Sequence, residues 1–273
     1  MPSHYTHYQF GKELIKRMPV EIKNIIDADI NCLNSYVLGL QGPDPLYFSN
    51  PWIHPTLRKE AYKIHHSSGN EFFTGACAYV ERTGIKAAAS YLIGSIAHYM
   101  LDSACHPSII KYQHKLGITH QRVERELDNY IISSNGGDPL YLDLNFVIPR
   151  NYEVGGLCAP FYRTTCRATM NEAINRMRRS LSLMQADSVL VRKAEYGLLS
   201  ATASGKKKRD MIIREDDRNR SDDEYLSRNR SIIKIMEGII DETVLLIRDT
   251  LDSIANGKNL NERFLPDYLG RIH

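Results

Sequence analysis

The stretch IKAAASYLIGSIAHYMLDSACH, residues 85–106, decides how this 273-residue chain is read. Between Lys86 and Asp102 it holds no Asp, Glu, Lys or Arg, so it reads as a helix buried in a protein core. It does not read as a membrane span, because Lys86, His98 and Asp102 stand where hydrocarbon would penalise them. Nowhere does the chain reach the roughly 18–20 uncharged apolar residues that a span needs. Within the stretch, His98 stands four residues ahead of Asp102, and Asp102 four ahead of His106. Side chains at i and i+4 project from one face of a helix about one turn apart, so His98 and Asp102 can grip one ion. Pro107 disfavours helical geometry in the residue before it, which places the helix end near His106 and makes His106 a helix-end ligand.

Working outward, the same spacing recurs immediately downstream in HQRVE, where His120 leads Glu124 by four. His120 opens a helix whose stripe of Val123, Leu127, Tyr130 and Ile131 faces a core, and the run Asn135-Gly136-Gly137 closes it. Upstream, Ile22, Ile25, Ile26, Ile30, Leu33 and Val37 recur at three and four, which predicts one helix over 19–40. Gly42-Pro43 stops it, Asp44 follows in the loop, and Pro45 holds the chain extended there. A loop rich in proline and aromatics covers 45–55, and a second helical stretch from Thr56 to about Val80 carries His65 and His66. Nine of the ten histidines thus fall between His4 and His120, so metal-type residues come from several consecutive helices.

Beyond that region, residues 138–163 read as irregular, a helix carries Met170, Ile174, Met177, Leu181 and Met184, and a last helix spans 232–254. Residues 205–230 are dense in both charge signs and read as a solvated, mobile loop. There is no internal repeat and almost no strand signal. The expectation is an all-α, multi-helix single domain over 1–273, with a metal cluster in a cleft between helices.

Composition narrows the class without naming the partner. With 42% hydrophobic and 25% charged residues the chain is ordinary for a soluble globular protein, and a net charge of +3 is too small to mark a nucleic-acid binder. Cys32, Cys77, Cys105, Cys158 and Cys166 are odd in number, scattered and without a CxxC pair, which argues against disulfides and against a cysteine zinc knuckle. The opening MPSHYTHYQFGKELIKRM has no apolar run of signal-peptide length, so the expected location is the cytoplasm.

Imidazole and carboxylate without cysteine suit zinc or another divalent first-row ion, whereas calcium prefers oxygen alone. The candidates His7, Asp44, His65, His98, Asp102, His106, His120 and Glu124 exceed the four ligands of one tetrahedral site, so two or three ions fit better. Ions about 3.5–4 Å apart can hold both the attacking and the leaving oxygen of a phosphoester, which makes phosphoester hydrolysis the natural reaction. Asp44 could ligate one ion and also deprotonate the attacking water. A lone His/Asp pair is more often an ordinary hydrogen bond. Here, however, Asp102 lies in an apolar helix, where an unpartnered carboxylate would cost several kcal/mol. His54, His66, His114 and His273 read as non-ligands, the methionine stripe as core, and the 206–230 charge run as solvated surface.

Taken in order, PSHYTHYQFG at 2–11, LQGPD at 40–44, IHHSSGNEFF at 64–73, HYMLDSACHP at 98–107 and HQRVE at 120–124 resemble the bacterial zinc-dependent phospholipase C family. The resemblance spans roughly residues 1–130 and extends to the zinc-dependent single-strand nucleases, so one fold serves two substrate classes. It implies a helical domain holding three zinc ions. Asp44, His65, His98 and Asp102 would bind the first ion, and His106, His120 and Glu124 the second. His7 would bind the third, bridged by Asp102, with Asp44 as general base. Secreted members complete the third site with a processed first residue; here Pro2, once Met1 is removed, or His4 would take that place. His7, His65 and the assignment to particular ions come from the resemblance alone.

The expected function is phosphodiester hydrolysis of phospholipase C type, on a phospholipid or related phosphodiester, with peripheral membrane contact and no transmembrane segment. One alternative is a zinc nuclease or phosphomonoesterase in the same cleft, the only reading that brings in nucleic acid, with Tyr47, Phe48 and Trp52 lining either pocket. The other is a metal-binding interaction protein without turnover.

Overall fold

The computed structural model describes residues 4–184, 209–213 and 220–272, with Gly197 alone between them. Among these residues there are helices and no strand, which matches the all-α expectation. The stretch that opened the sequence reading is the axis of the molecule. Helix α6 (Lys86–Leu116) runs 31 residues, about 46 Å at 1.5 Å per residue, before Gly117 caps it in the left-handed region. Tyr91, Leu92, Ile93, Ile96, Tyr99, Met100 and Leu101 are fully buried on all its faces. No helix among the described residues is long and apolar enough to cross a membrane.

Pro107 does not end this helix; it lies inside it, so His106 is a mid-helix residue. Proline removes the N–H that would bond the Ser103 carbonyl. That carbonyl and the proline ring pack instead against Gly270, whose φ of +74° brings the C-terminal backbone so close that a Cβ there would stand 2.5 Å from Ser103 O. Tertiary packing thus carries the helix through a residue that local preference would make a stop.

The other elements gather on α6. Helix α1 (His4–Arg17), in a segment where periodicity set no expectation, is followed by α2 (Val20–Ile26) and α3 (Ile30–Gly39). These two replace the single helix expected over 19–40, because the Asp29 carboxylate accepts from Cys32 N and starts a new helix. The expected 56–80 helix likewise divides into α4 (Pro55–His65) and α5 (Gly69–Thr83), with the Ser68 hydroxyl accepting from Asn70 N. Helix α7 (His120–Ser134) begins and ends where expected, between Thr119 and Asn135. The region taken as irregular holds short pieces: a 3-10 turn at Leu144–Val147, α8 (Tyr152–Cys158) and a 3-10 turn at Ala159–Phe161.

Helix α9 (Arg167–Met184) buries Met170, Ile174, Met177 and Leu181, as the stripe predicts. The charged run is not a loop throughout. From Asp223 it is helix α10 (Asp223–Gly238), capped by Asp222, while 205–208 and 214–219 lie outside the described residues. Helix α11 (Ile240–Asn256) follows, so the last expected helix is two.

Helices α1, α2, α3, α5, α7, α8, α10 and α11 all pack against α6. The α3 crossing is closest: a Cβ on Gly94 would meet Tyr36 O at 2.3 Å, and one on Gly39 would meet Tyr91 O at 2.4 Å. All five cysteines are free thiols, four of them buried.

Candidate metal centre

His98, Asp102 and His106 stand on successive turns of α6, at 0%, 0% and 1% exposure. An ionised carboxylate buried this deeply needs compensation, so its surroundings decide what it is for. His7 Nε2, from α1, lies 3.2 Å from Asp102 Oδ1, and His98 Nε2 lies 3.4 Å from Asp102 Oδ2. His65 Nε2, from the last turn of α4, is 3.8 Å from Asp102 Oδ2 and 3.2 Å from Asp44 Oδ1. Asp44 Oδ1 is also 3.9 Å from His98 Nε2. One turn along α6, His106 Nε2 faces Glu124 Oε1 at 3.7 Å, and His120 Nε2 approaches the same oxygen at 2.7 Å. The His7 and His98 rings stack at 4.2 Å, and those of His106 and His120 at 5.2 Å.

Local geometry holds each of these groups in place. Asp44 does not lie in extended chain; it starts a 3-10 turn (Asp44–Phe48), for which Pro45 supplies a preset φ in the first turn. Gly42, at φ +51°, brings the backbone against His98, and its own Cβ would stand 2.4 Å from that ring. The ring nitrogens are committed by their Nδ1 partners, since a carbonyl only accepts. His98 Nδ1 donates to Leu40 O at 3.1 Å, His65 Nδ1 to Ala61 O at 2.8 Å, and His106 Nδ1 to Tyr268 O at 2.8 Å and to Asp102 O at 3.0 Å. In each neutral ring the lone pair therefore sits on Nε2, which faces the carboxylates.

Apart from the close His120–Glu124 pair, most of these facing atoms make no hydrogen bond to one another. Both oxygens of Asp44 and Asp102, both ring nitrogens of His7, and Nε2 of His65, His98 and His106 are buried without a hydrogen-bond partner. With metal–ligand bonds of about 2.0–2.2 Å, two ligands of a tetrahedral zinc stand about 3.3–3.6 Å apart, which is the separation seen among several of them. Three groups have ligand atoms all within 4.8 Å: His7, His98 and Asp102; Asp44, His65 and His98; His106, His120 and Glu124. The donor set of neutral imidazole and carboxylate is the one that zinc takes.

Charge points the same way. Burial works to raise both aspartates, but His106 and His98 hold Asp102 well below the carboxylate range, and His98 and His65 hold Asp44 down. Glu124 is lowered too, with His120 outweighing burial. Burial and the neighbouring His98 push His7 down to about 4, so it stays neutral at pH 7. Ionised carboxylates beside a neutral ring make a cation-seeking pocket.

Residues 6–182 match the sequence profile of the zinc-dependent phospholipase C family. The chain belongs to that family. Zinc-dependent phospholipases C are phosphoester hydrolases, and the matched span contains all eight candidate ligands and reaches well past the 1–130 region that carries the motif resemblance. Comparison with curated proteins and with solved structures found no match.

All eight predicted site residues converge in this zinc-dependent phospholipase C domain. The four histidines set aside do not join them: His54 pairs with Glu172 at 3.2 Å, His66 stacks on Tyr62, His114 contributes to none of the groups, and His273 lies outside the described residues. Of the three aromatics after Asp44, Tyr47 reaches His65 at 5.4 Å between rings and Phe48 lies 5.9 Å from His4. Trp52 is 92% exposed and lines nothing there. His4 is buried and donates from Nδ1 to Gln41 Oε1 at 2.9 Å, while Pro2 lies outside the described residues. The sequence reading missed Tyr268, whose carbonyl holds His106 and whose ring packs against His65 at 5.0 Å. A backbone carbonyl carries no residue-type signal, and Tyr268 lies outside the family-matched span.

Proposed function

We propose that this chain is a zinc-dependent phosphodiester hydrolase of phospholipase C type, acting on a phospholipid or a related phosphodiester. The observation that carries this reading is the convergence of orphaned Nε2 and carboxylate atoms at the spacing of shared metal ligands. Asp44, His65, His98 and Asp102 would hold one ion, His106, His120 and Glu124 a second, and His7 with Asp102 a third. Zinc bound there would lower the pKa of water from 15.7 to roughly 7 and offset the charge of the phosphoryl group.

The chain's own residues do the rest. The carbonyls of Leu40, Ala61 and Tyr268 orient the imidazoles, so that no ring has to turn for its Nε2 to face the site. Asp44 Oδ1 faces His65, which leaves Oδ2 to take the proton of the attacking water. The water oxygen joins phosphorus, the P–O bond to the leaving alcohol breaks, the departing oxygen takes up a proton that balances the one Asp44 accepts, and a phosphomonoester and an alcohol result.

The test is metal content by mass spectrometry after dialysis against dilute zinc, wild type beside His98→Ala, followed by assays on phosphocholine ester, single-stranded DNA and phosphomonoester. Two or three zinc per chain, falling in the variant, with hydrolysis of the phosphocholine ester, is the expected result. Fewer than one zinc per chain sinks the proposal. Asp44→Asn is expected to abolish turnover; an unchanged rate removes Asp44 from the base role.

A further inference from the structure

Away from the metal centre, three arginines meet in a place whose lining, among the described residues, holds no carboxylate. Arg150, Arg178 and Arg179, with Asn145, Asn175 and Ser182, line a surface depression of about 340 Å3. That volume lies at the small end of ligand pockets, which run from about 300 to 1,000 Å3. Asn175, Arg178, Arg179 and Ser182 follow one another at three and four along α9 and so share a face, beside the Met170, Ile174, Met177 and Leu181 stripe that fills the core.

The arrangement is built rather than incidental. Arg178 is half-buried, and its Nη1 donates to the carbonyls of Asn145, at 2.8 Å, and Ile148. Burial and the like charge of Arg150 both work against its protonated form, with Asp143 as the acidic group opposing them. Asp143 is itself occupied: its Oδ1 accepts from Asn145 N and from Asn145 Nδ2, each at 2.9 Å. No carboxylate lines the depression, and no ion pair is formed there by Arg150 or Arg179 among the described residues. The structure thus holds like charges together with no counter-charge placed between them.

A second feature adds to the charge. Asn145 Oδ1 is buried without a hydrogen-bond partner, while its Nδ2 is committed to Asp143 and to Ser182 Oγ at 2.6 Å. The amide cannot be turned over without setting its oxygen against the Asp143 carboxylate, so Oδ1 stays the unpartnered acceptor of a residue that lines the depression. Guanidinium forks match phosphate oxygens in pairs, and a phosphomonoester, with a second pKa near 6, also supplies an O–H for part of the population at pH 7.

We infer that this depression is a phosphomonoester-binding site, with Arg150, Arg178 and Arg179 on the phosphate oxygens and Asn145 Oδ1 on an O–H of the ligand. It shares no residue with the metal centre and does not rest on the hydrolase reading. The phosphate can come from a soluble ester or from a phosphatidic acid headgroup.

The experiment is calorimetric titration of the zinc-loaded protein with inorganic phosphate. It is paired with co-sedimentation on phosphatidylcholine vesicles with and without phosphatidic acid, at stepped salt. Wild type is compared with Arg150→Gln/Arg179→Gln, two exposed positions whose loss spares the core, and with Arg178→Gln. Because phosphate can also reach a zinc centre, the readout is the difference between proteins of equal zinc content. At least about a tenfold loss of phosphate affinity in the double variant is expected, with a shallower salt dependence. Vesicle binding that requires phosphatidic acid and is lost in the variants assigns the site to a lipid headgroup, and phosphate binding without vesicle preference assigns it to a soluble ester. Equal affinity for phosphate and for vesicles in wild type and both variants overturns the inference, whichever variants fold.

Discussion

A methyl group on Gly42 would meet the His98 ring at 2.4 Å, and the φ of +51° at that position is one that other residues adopt only under strain. Gly42→Ala is therefore expected to lower stability by about 1–3 kcal/mol and to release zinc, read by denaturant midpoint and by metal analysis. A variant with unchanged zinc content would show that the ring tolerates displacement. Single residues differ in how far the sequence exposed them. His98, Asp102, His106, His120 and Glu124 stood out because ligand pairs four apart on a helix need no knowledge of the fold. His7 and His65 have no carboxylate four residues away on their own helices, and what gives them meaning is Asp102 and Asp44 on other elements. Only a family resemblance could single them out in advance.

Between elements, the ion pair of Glu126 on α7 with Arg228 on α10 is the most deeply buried outside the metal centre among the described residues, at 0% and 1% exposure. Arg122 and Arg220 also reach that carboxylate, each at 2.7 Å. Glu126→Gln leaves the buried guanidinium of Arg228 beside a neutral amide with Glu224, 3.6 Å from its Nη1, as its carboxylate, and is expected to cost about 3 kcal/mol, the low end for breaking a buried pair. Arg228→Met, which keeps the apolar stem and leaves Glu126 with Arg122, Arg125 and Arg220, is expected to cost less. Thermal melts of the two variants check the order, and the reverse order would mean that packing outweighs charge here. The same pair explains why the charge run after residue 205 misled the sequence reading. High charge density predicts solvation only when the charges lack partners inside the protein, and Arg228 has one 102 positions away. Helix boundaries were misread for a related reason: Asp29 and Ser68 each start a new helix by capping it, inside stretches that read as one helix, and Asp222 does the same inside the charge run.

For the whole molecule, the candidate ligands join α1, the 3-10 turn at Asp44, α4, α6 and α7, so a metal bound among them would tie those elements together. Removing metal with a chelator is expected to lower the melting temperature. At zinc one-hundred-fold above its dissociation constant, the bound ion adds about 2.7 kcal/mol. Hydrogen exchange should quicken first in α1 and α4, whose histidines reach the cluster one per helix; uniform exchange would argue that the helices hold without it. The all-α class was legible because long apolar periodicity needs no partner to be recognised, whereas the passage of α6 through Pro107 depends on Gly270, 163 positions further on. That contact, together with the Tyr268 carbonyl on His106, bears on which part of the chain the centre needs. Every candidate ligand lies at or before residue 124, but the backbone group that orients His106 comes 162 positions after it. A fragment that stops short of Tyr268 would keep every candidate ligand and lack the carbonyl that holds the His106 ring.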